Sequence, residues 1–150
     1  MSSYMINILT EGMRIPTTGS WGDCSFYTWS DYCENSGGPY LYVNRNTNMP
    51  SELSEEGHHT NPPQNQLIMN EEYKRMLAYL FYWSILEYHE IDRPFVGQMG
   101  GEVVDLETEL PINGATILLG GQFYTTDTFE SLFHNYSSDE NELRNGFYWF

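Results

Sequence analysis

The chain has 150 residues, of which 40% are hydrophobic and 16% aromatic, a size and composition that suit a single folded domain and exclude a disordered chain. It carries 21 acidic residues against one lysine, Lys74, and five arginines, for a formal charge of −15. Direct binding to DNA, RNA or an anionic membrane is disfavoured, because each needs clustered bases to replace counterions; a basic protein partner is the class such a charge attracts.

In chain order, Tyr4, Met5, Ile6, Ile8 and Leu9 precede Gly12 and fit either a short strand or a helical turn, ended by Pro16 to Gly19. Two aromatic runs, FYTWSDY and PYLYVN, then flank Gly37-Gly38 between Ser25 and Asn44, and paired glycines between β-prone runs signal a hairpin. A helix is the rival for the first run, since Phe26, Trp29 and Cys33 keep helical spacing. Cys24 and Cys33 lie too far apart along a regular helix or strand for a disulfide, so free thiols are expected. Residues Arg45 to Gln66 hold almost no apolar side chains and read as a long surface loop, a feature that in a compact domain is either functional or mobile.

Asn70 to Ile91 is the stretch around which the chain is organised. Asn70 is placed to cap a helix whose first turn carries Glu71 and Glu72 against the positive end of the dipole. Its middle, MLAYLFYWSIL from Met76 to Leu86, is apolar all round, which predicts a helix buried on most sides; it is too short to span a membrane. Asp92-Arg93-Pro94 stops the helical pattern, and Gly97 to Gly101 leads to a sheet.

Val104, Leu106, Thr108 and Leu110 alternate with Asp105, Glu107 and Glu109, a period-2 pattern that predicts a strand with one dry face and one carboxylate face. Asn113-Gly114 is a strong hairpin signal, followed by a return strand from Ala115 to Leu119, Gly120-Gly121 and a third strand from Gln122 to Thr125. A three-stranded meander is expected. Asp127 can cap a second helix with Glu130 at its third position and Phe129, Leu132, Phe133 and Tyr136 on one face. Ser138 to Leu143 reads as an acidic turn, Asn145-Gly146 turns the chain, and Phe147 to Phe150 is a last strand or plug.

The residues offer little catalytic grammar. Cys24, with His58, His59, His89 or His134 as base, is the only hydrolase constellation, and Asp23 beside the thiol tends to raise its pKa rather than activate it. His58-His59 beside Glu55 and Glu56 match no defined metal site, His89 suits a helix C-terminus, and neither glycine pair has the flanks of a phosphate loop. No metal and no cofactor is expected.

The carboxylates are the more promising feature. From Pro94 to Leu143 there is no Lys or Arg. Asp105, Glu107 and Glu109 on one strand face would stand about 6.7 Å apart, from a rise of roughly 3.3 Å per residue, close to the spacing of neighbouring phosphates. With Asp127, Glu130, Asp139, Glu140 and Glu142 they form the candidate partner-binding set: an extended anionic surface that competes with nucleic acid for a basic cleft. Alternating acids also serve simply to keep a sheet from aggregating.

Three stretches carry a resemblance to a known family. Trp29 to Tyr42 with SGGPYLY at Ser36 to Tyr42, MLAYLFYWSIL at Met76 to Leu86, and FESLFH at Phe129 to His134 resemble the antirestriction proteins of the ArdB/KlcA type. The resemblance implies a small inhibitor of host DNA restriction, encoded by a phage or other mobile element, with no catalytic residues to carry over.

The reading is therefore a single α+β domain, with a hairpin and a meander of short antiparallel strands around one buried apolar helix and a second shorter helix. The function expected is that of an acidic, non-enzymatic, DNA-mimic inhibitor of a basic nucleic-acid-binding defence enzyme, of antirestriction or anti-CRISPR type. No basic region followed by a long apolar run is visible near residue 1, so a host-cytoplasmic location is expected. A structural or assembly subunit of a virion or other complex, forming homo-oligomers through its aromatic residues, is the alternative, and a Cys24 hydrolase the third reading.

Overall fold

The computed structural model describes residues 1–16, 19–23, 39–95, 97–128, 139, 141 and 143–150. These residues form a small α+β fold: α1 (Ser2–Met13), α2 (Tyr42–Arg45), α3 (Pro62–Met69) and α4 (Glu71–Tyr88), with β1 (Gly100–Glu102), β2 (Thr116–Leu119), β3 (Gln122–Thr125) and β4 (Phe147–Trp149). The strands make two separate two-stranded antiparallel sheets, β1 with β4 and β2 with β3. Two compact units result, one of Met1–Glu55 with Tyr79–Arg93, the other of Glu56–Ala78 with Pro94–Phe150.

In the first unit the open reading of residues 1–15 resolves as a helix. Met5, Ile8, Leu9 and Met13 recur at the 3.6-residue period and are all buried. Two contacts tie α1 to the C-terminal part of α4, where Leu80 and Leu86 are buried: Tyr4 meets Tyr88 edge to face at 6.1 Å, and Gly12 lies against Leu80. A side chain at Gly12 would collide with Leu80, so this glycine sets the distance of approach. The helix ends at Arg14, which takes the left-handed conformation (φ 55°) and donates its N–H to the Thr10 carbonyl.

The second arm of the expected 25–44 hairpin is not a strand. Residues 42–45 form α2, whose first turn is closed from a distance: the Asp23 carboxylate accepts the N–H groups of Tyr40 and Leu41 and, at 2.7 Å, the Asn44 amide. A remote carboxylate thus supplies acceptors for the backbone donors just before the helix start. The first arm, with Cys24 and Cys33, lies outside the described residues.

The expected 45–66 loop is also shortened, because its last part belongs to α3. Asn61 caps that helix by accepting the Gln64 N–H, with prolines in the first turn where no N–H is needed, while the Gln64 side chain accepts the His58 N–H. The polar sequence conceals a packed helix: Asn65 and Gln66 are buried, Gln66 completely.

Asn70 ends α3 and begins α4. Its N–H goes to the Leu67 carbonyl and its side-chain oxygen accepts the Tyr73 N–H at 2.8 Å, the cap anticipated from the sequence. The helix is not buried on most sides, however. Tyr79, Tyr82 and Ile85, spaced three apart, are exposed, so the apolar belt covers more of the helix than its neighbours do. It terminates at Tyr88 with Glu90 left-handed (φ 55°) and the Ile91 N–H on the Leu86 carbonyl. Arg93 then folds back to pair with Glu87 and to sit 5.3 Å over the Trp83 ring.

In the second unit the predicted tail strand is present: β4 pairs with β1, Gly101 opposite Tyr148, and Phe147 is buried against the Tyr73 ring at 5.2 Å. The hairpin across Gly120-Gly121 is present too, both glycines having positive φ as a two-residue turn of this hand requires. The meander is not: residues 104–110 supply no third strand, only a single bridge from Val104 to Pro111. The helix expected from Asp127 onward lies outside the described residues.

Candidate functional site

The segment expected to display the carboxylates closes on itself. The Asp105 side chain accepts the N–H groups of Glu107 (3.1 Å) and Thr108 (2.8 Å) and the Thr108 hydroxyl (2.9 Å). Its main chain is bonded at both ends of the turn, from its N–H to the Leu110 carbonyl and from the Glu109 N–H to its own carbonyl. Glu109 is left-handed (φ 60°). An aspartate that accepts from the N–H groups two and three residues on offers the backbone an alternative to a ladder, which is why the period-2 pattern does not become a strand. Asp105, Glu107 and Glu109 are therefore not neighbours on one strand face. Asp105 is engaged within the turn, and the hydrogen bonds from Thr108 and then Glu107 hold its carboxyl below the usual range. Glu107 and Glu109 are exposed.

Asp127 is engaged as well. Its Oδ2 accepts the side-chain amides of Asn70 at 2.7 Å and Asn145 at 3.2 Å. Around it lies a continuous polar knot. Tyr124 donates its hydroxyl to Glu72 at 2.9 Å, and Asn113 Oδ1 accepts the N–H groups of Asn145 and Gly146. Asn145 Oδ1 accepts the Phe147 N–H, and the Thr126 hydroxyl bridges the Ala115 N–H and the Ile112 carbonyl. Asn70, Thr126 and Asn145 are buried. Burial, together with the bond to Glu72 and against the opposing Asn70 donor, pushes the Tyr124 phenol up to about 12. Tyr73 reaches about 12 by burial and the nearby charges of Glu102 and Glu56.

Of the remaining acids, Asp139 is exposed and accepts the Asn141 N–H, while Glu130, Glu140 and Glu142 lie outside the described residues. Among the described residues no group of three His, Cys, Asp or Glu side chains could hold a metal ion, and no helix is long and apolar enough to cross a membrane. His58, His59 and His89 are exposed.

The excess of charge is not cancelled internally. Lys74 is bound to Glu71, Arg75 lies 3.7 Å from Glu72, and Arg93 is bound to Glu87, so half of the six bases are already matched to glutamates of α4. Exposed Glu102, Glu107 and Glu109 stand in a stretch that has no base between Arg93 and Arg144.

One feature escaped the sequence reading. The β2–β3 hairpin turns its apolar residues outward: Leu118 is 72% and Phe123 77% exposed, and the two are directly paired across the strands. The other face carries the Ile117–Tyr124 pair, with Tyr124 held by Glu72. The run from Leu110 to Thr126 contains no charged residue, which is the signal that could have marked it. No family model, curated protein or solved structure matches this chain.

Proposed function

We infer that this protein is an acidic, non-enzymatic inhibitor that occupies the basic, nucleic-acid-binding site of another protein. The observation that carries the reading is the uncompensated charge: 21 carboxylates face six bases, three of which are spent on glutamates of a single helix. A surface of that sign raises the encounter rate with a positive cleft and competes with the phosphates that the cleft normally holds. The resemblance to antirestriction proteins points to the same partner class, a host defence enzyme that acts on DNA.

The test is displacement of labelled DNA from a restriction complex by the purified chain, repeated across a salt series. DNA release that weakens steeply as salt rises is the expected result, since screening shortens the reach of exposed charges. Glu102→Gln, Glu107→Gln and Glu109→Gln together should weaken it further, these side chains being exposed. Release insensitive both to salt and to the triple substitution would remove the reading.

A subunit of a larger assembly is the second reading, and the exposure of Phe95, Leu106, Leu118 and Phe123 favours it. Light scattering that shows only monomer at high concentration counts against it.

A further inference from the structure

We propose that the β2–β3 hairpin is the anchor of the partner interface, with Leu118 and Phe123 entering an apolar pocket whose rim is basic. This rests on the reading above and adds where and how the contact is made. Leu118 and Phe123 face each other across the strands on one side of the hairpin, both more than 70% exposed. Leu119, at the turn, is 37% exposed.

The hairpin is also held for presentation. Gly120 and Gly121 form its turn with φ of 56° and 84°. The hydroxyls of Thr116 and Thr125 meet at 3.2 Å on the same side as Leu118 and Phe123, and from the other side Tyr124 reaches Glu72 and Asn70. An apolar pair on an ordered element loses little conformational freedom when it docks.

Charge decides between occupants. The run from Leu110 to Thr126 is uncharged and follows the exposed Glu107 and Glu109. Arg75, which lies 3.7 Å from the Glu72 that Tyr124 reaches, is matched to that glutamate, and the chain as a whole carries a formal charge of −15. A second copy would bring like charge against like charge, whereas a pocket ringed by lysine or arginine meets both the apolar pair and the negative charge of the chain. That is the usual anatomy of a protein interface, an apolar core within a polar rim.

The experiment uses the full chain and two dye-labelled peptides of equal positive charge, followed by fluorescence anisotropy at low salt. One is an amphipathic helix with leucines on one face and lysines on the other; its companion has every leucine replaced by serine. The wild type should bind the amphipathic peptide about 30-fold more tightly than its companion, the scale of one buried hot-spot side chain. Leu118→Ser/Phe123→Ser should abolish the difference and leave the companion's binding unchanged, with an unaltered circular dichroism spectrum as control. Equal binding of both peptides by the wild type overturns the anchor and leaves the acidic reading standing. Binding of neither overturns both. A dimer in sedimentation that the double variant dissolves overturns the basic pocket in favour of a second copy.

Discussion

In the first unit the side chains withdrawn from water are mostly aliphatic, Met5, Ile8, Leu9 and Met13 of α1 with Leu80 and Leu86 of α4; the polar exception, Ser84, donates its hydroxyl to the Leu80 carbonyl of its own helix. In the second, the most deeply buried side chains are Gln66, Asn70, Asn145 and Thr126, beside an apolar minority of Tyr73, Leu143 and Phe147. The two units thus resist substitution in different ways. Apolar burial is non-directional and tolerates changes of shape at conserved volume. A buried polar knot holds only while every member is bonded, because each orphaned group then carries its full desolvation cost.

The largest effect is expected where the knot meets backbone strain. Gly146 has φ 54°, and a Cβ there would lie 2.5 Å from the Val103 carbonyl oxygen and 3.0 Å from the Ile112 nitrogen. Neither atom can swing aside, so Gly146→Ala should cost about 3 kcal/mol or more in urea denaturation, from left-handed strain and overlap together. Gly12→Ala in the first unit meets only the Leu80 side chain, and a gain in helix propensity of about 1 kcal/mol offsets part of the overlap. If the two cost the same, the contrast between the units fails.

Asn70→Ala comes next. It removes a helix cap, worth about 1 kcal/mol, and a hydrogen bond to a carboxylate worth about 1.5–3 kcal/mol. Asn70→Asp sharpens the test, since aspartate caps equally well but sets a second carboxylate against Asp127. It should destabilise despite the intact cap, and a melting temperature equal to that of the wild type would show that Asn70 acts through the cap alone. In the first unit Leu9→Met conserves volume and should cost less than about 1.5 kcal/mol.

The smallest effect is a pH dependence on the alkaline side. Tyr73 and Tyr124, both in the second unit, have phenols raised to about 12. Between about 10 and 12 the unfolded chain releases these protons while the folded chain retains them, so their contribution to stability is complete below pH 10 and is lost as pH rises through 12. Tyr124→Phe should flatten the fall in stability over that window, followed by absorbance of phenolate during alkaline unfolding. A fall as steep as that of the wild type would place the sensitivity elsewhere.

What could be read from the sequence were features decided within a few residues. The Asn70 cap, the Gly120-Gly121 turn and the terminal strand follow from local rules of capping, φ and alternation. The α+β class follows from their sum. The carboxylate face was not legible because residues 104–110 satisfy the strand pattern equally well as a turn, and the Asp105 side chain, by bonding the Glu107 and Thr108 N–H groups, selects the turn. Helix α3 was missed because the residues it buries, Asn65 and Gln66, are ones that composition assigns to solvent.

The sequence by itself determined the charge, the fold class and the ends of the principal helix, since each depends on the residues present or on hydrogen bonds no more than five positions long. Tertiary structure alone decided that Asp127 would be bound by Asn70, 57 positions away, and that Leu118 and Phe123 would point outward. A carboxylate or a leucine is the same residue in either setting. Only the groups that the fold brings beside it, or withholds, make it a strut or a contact surface.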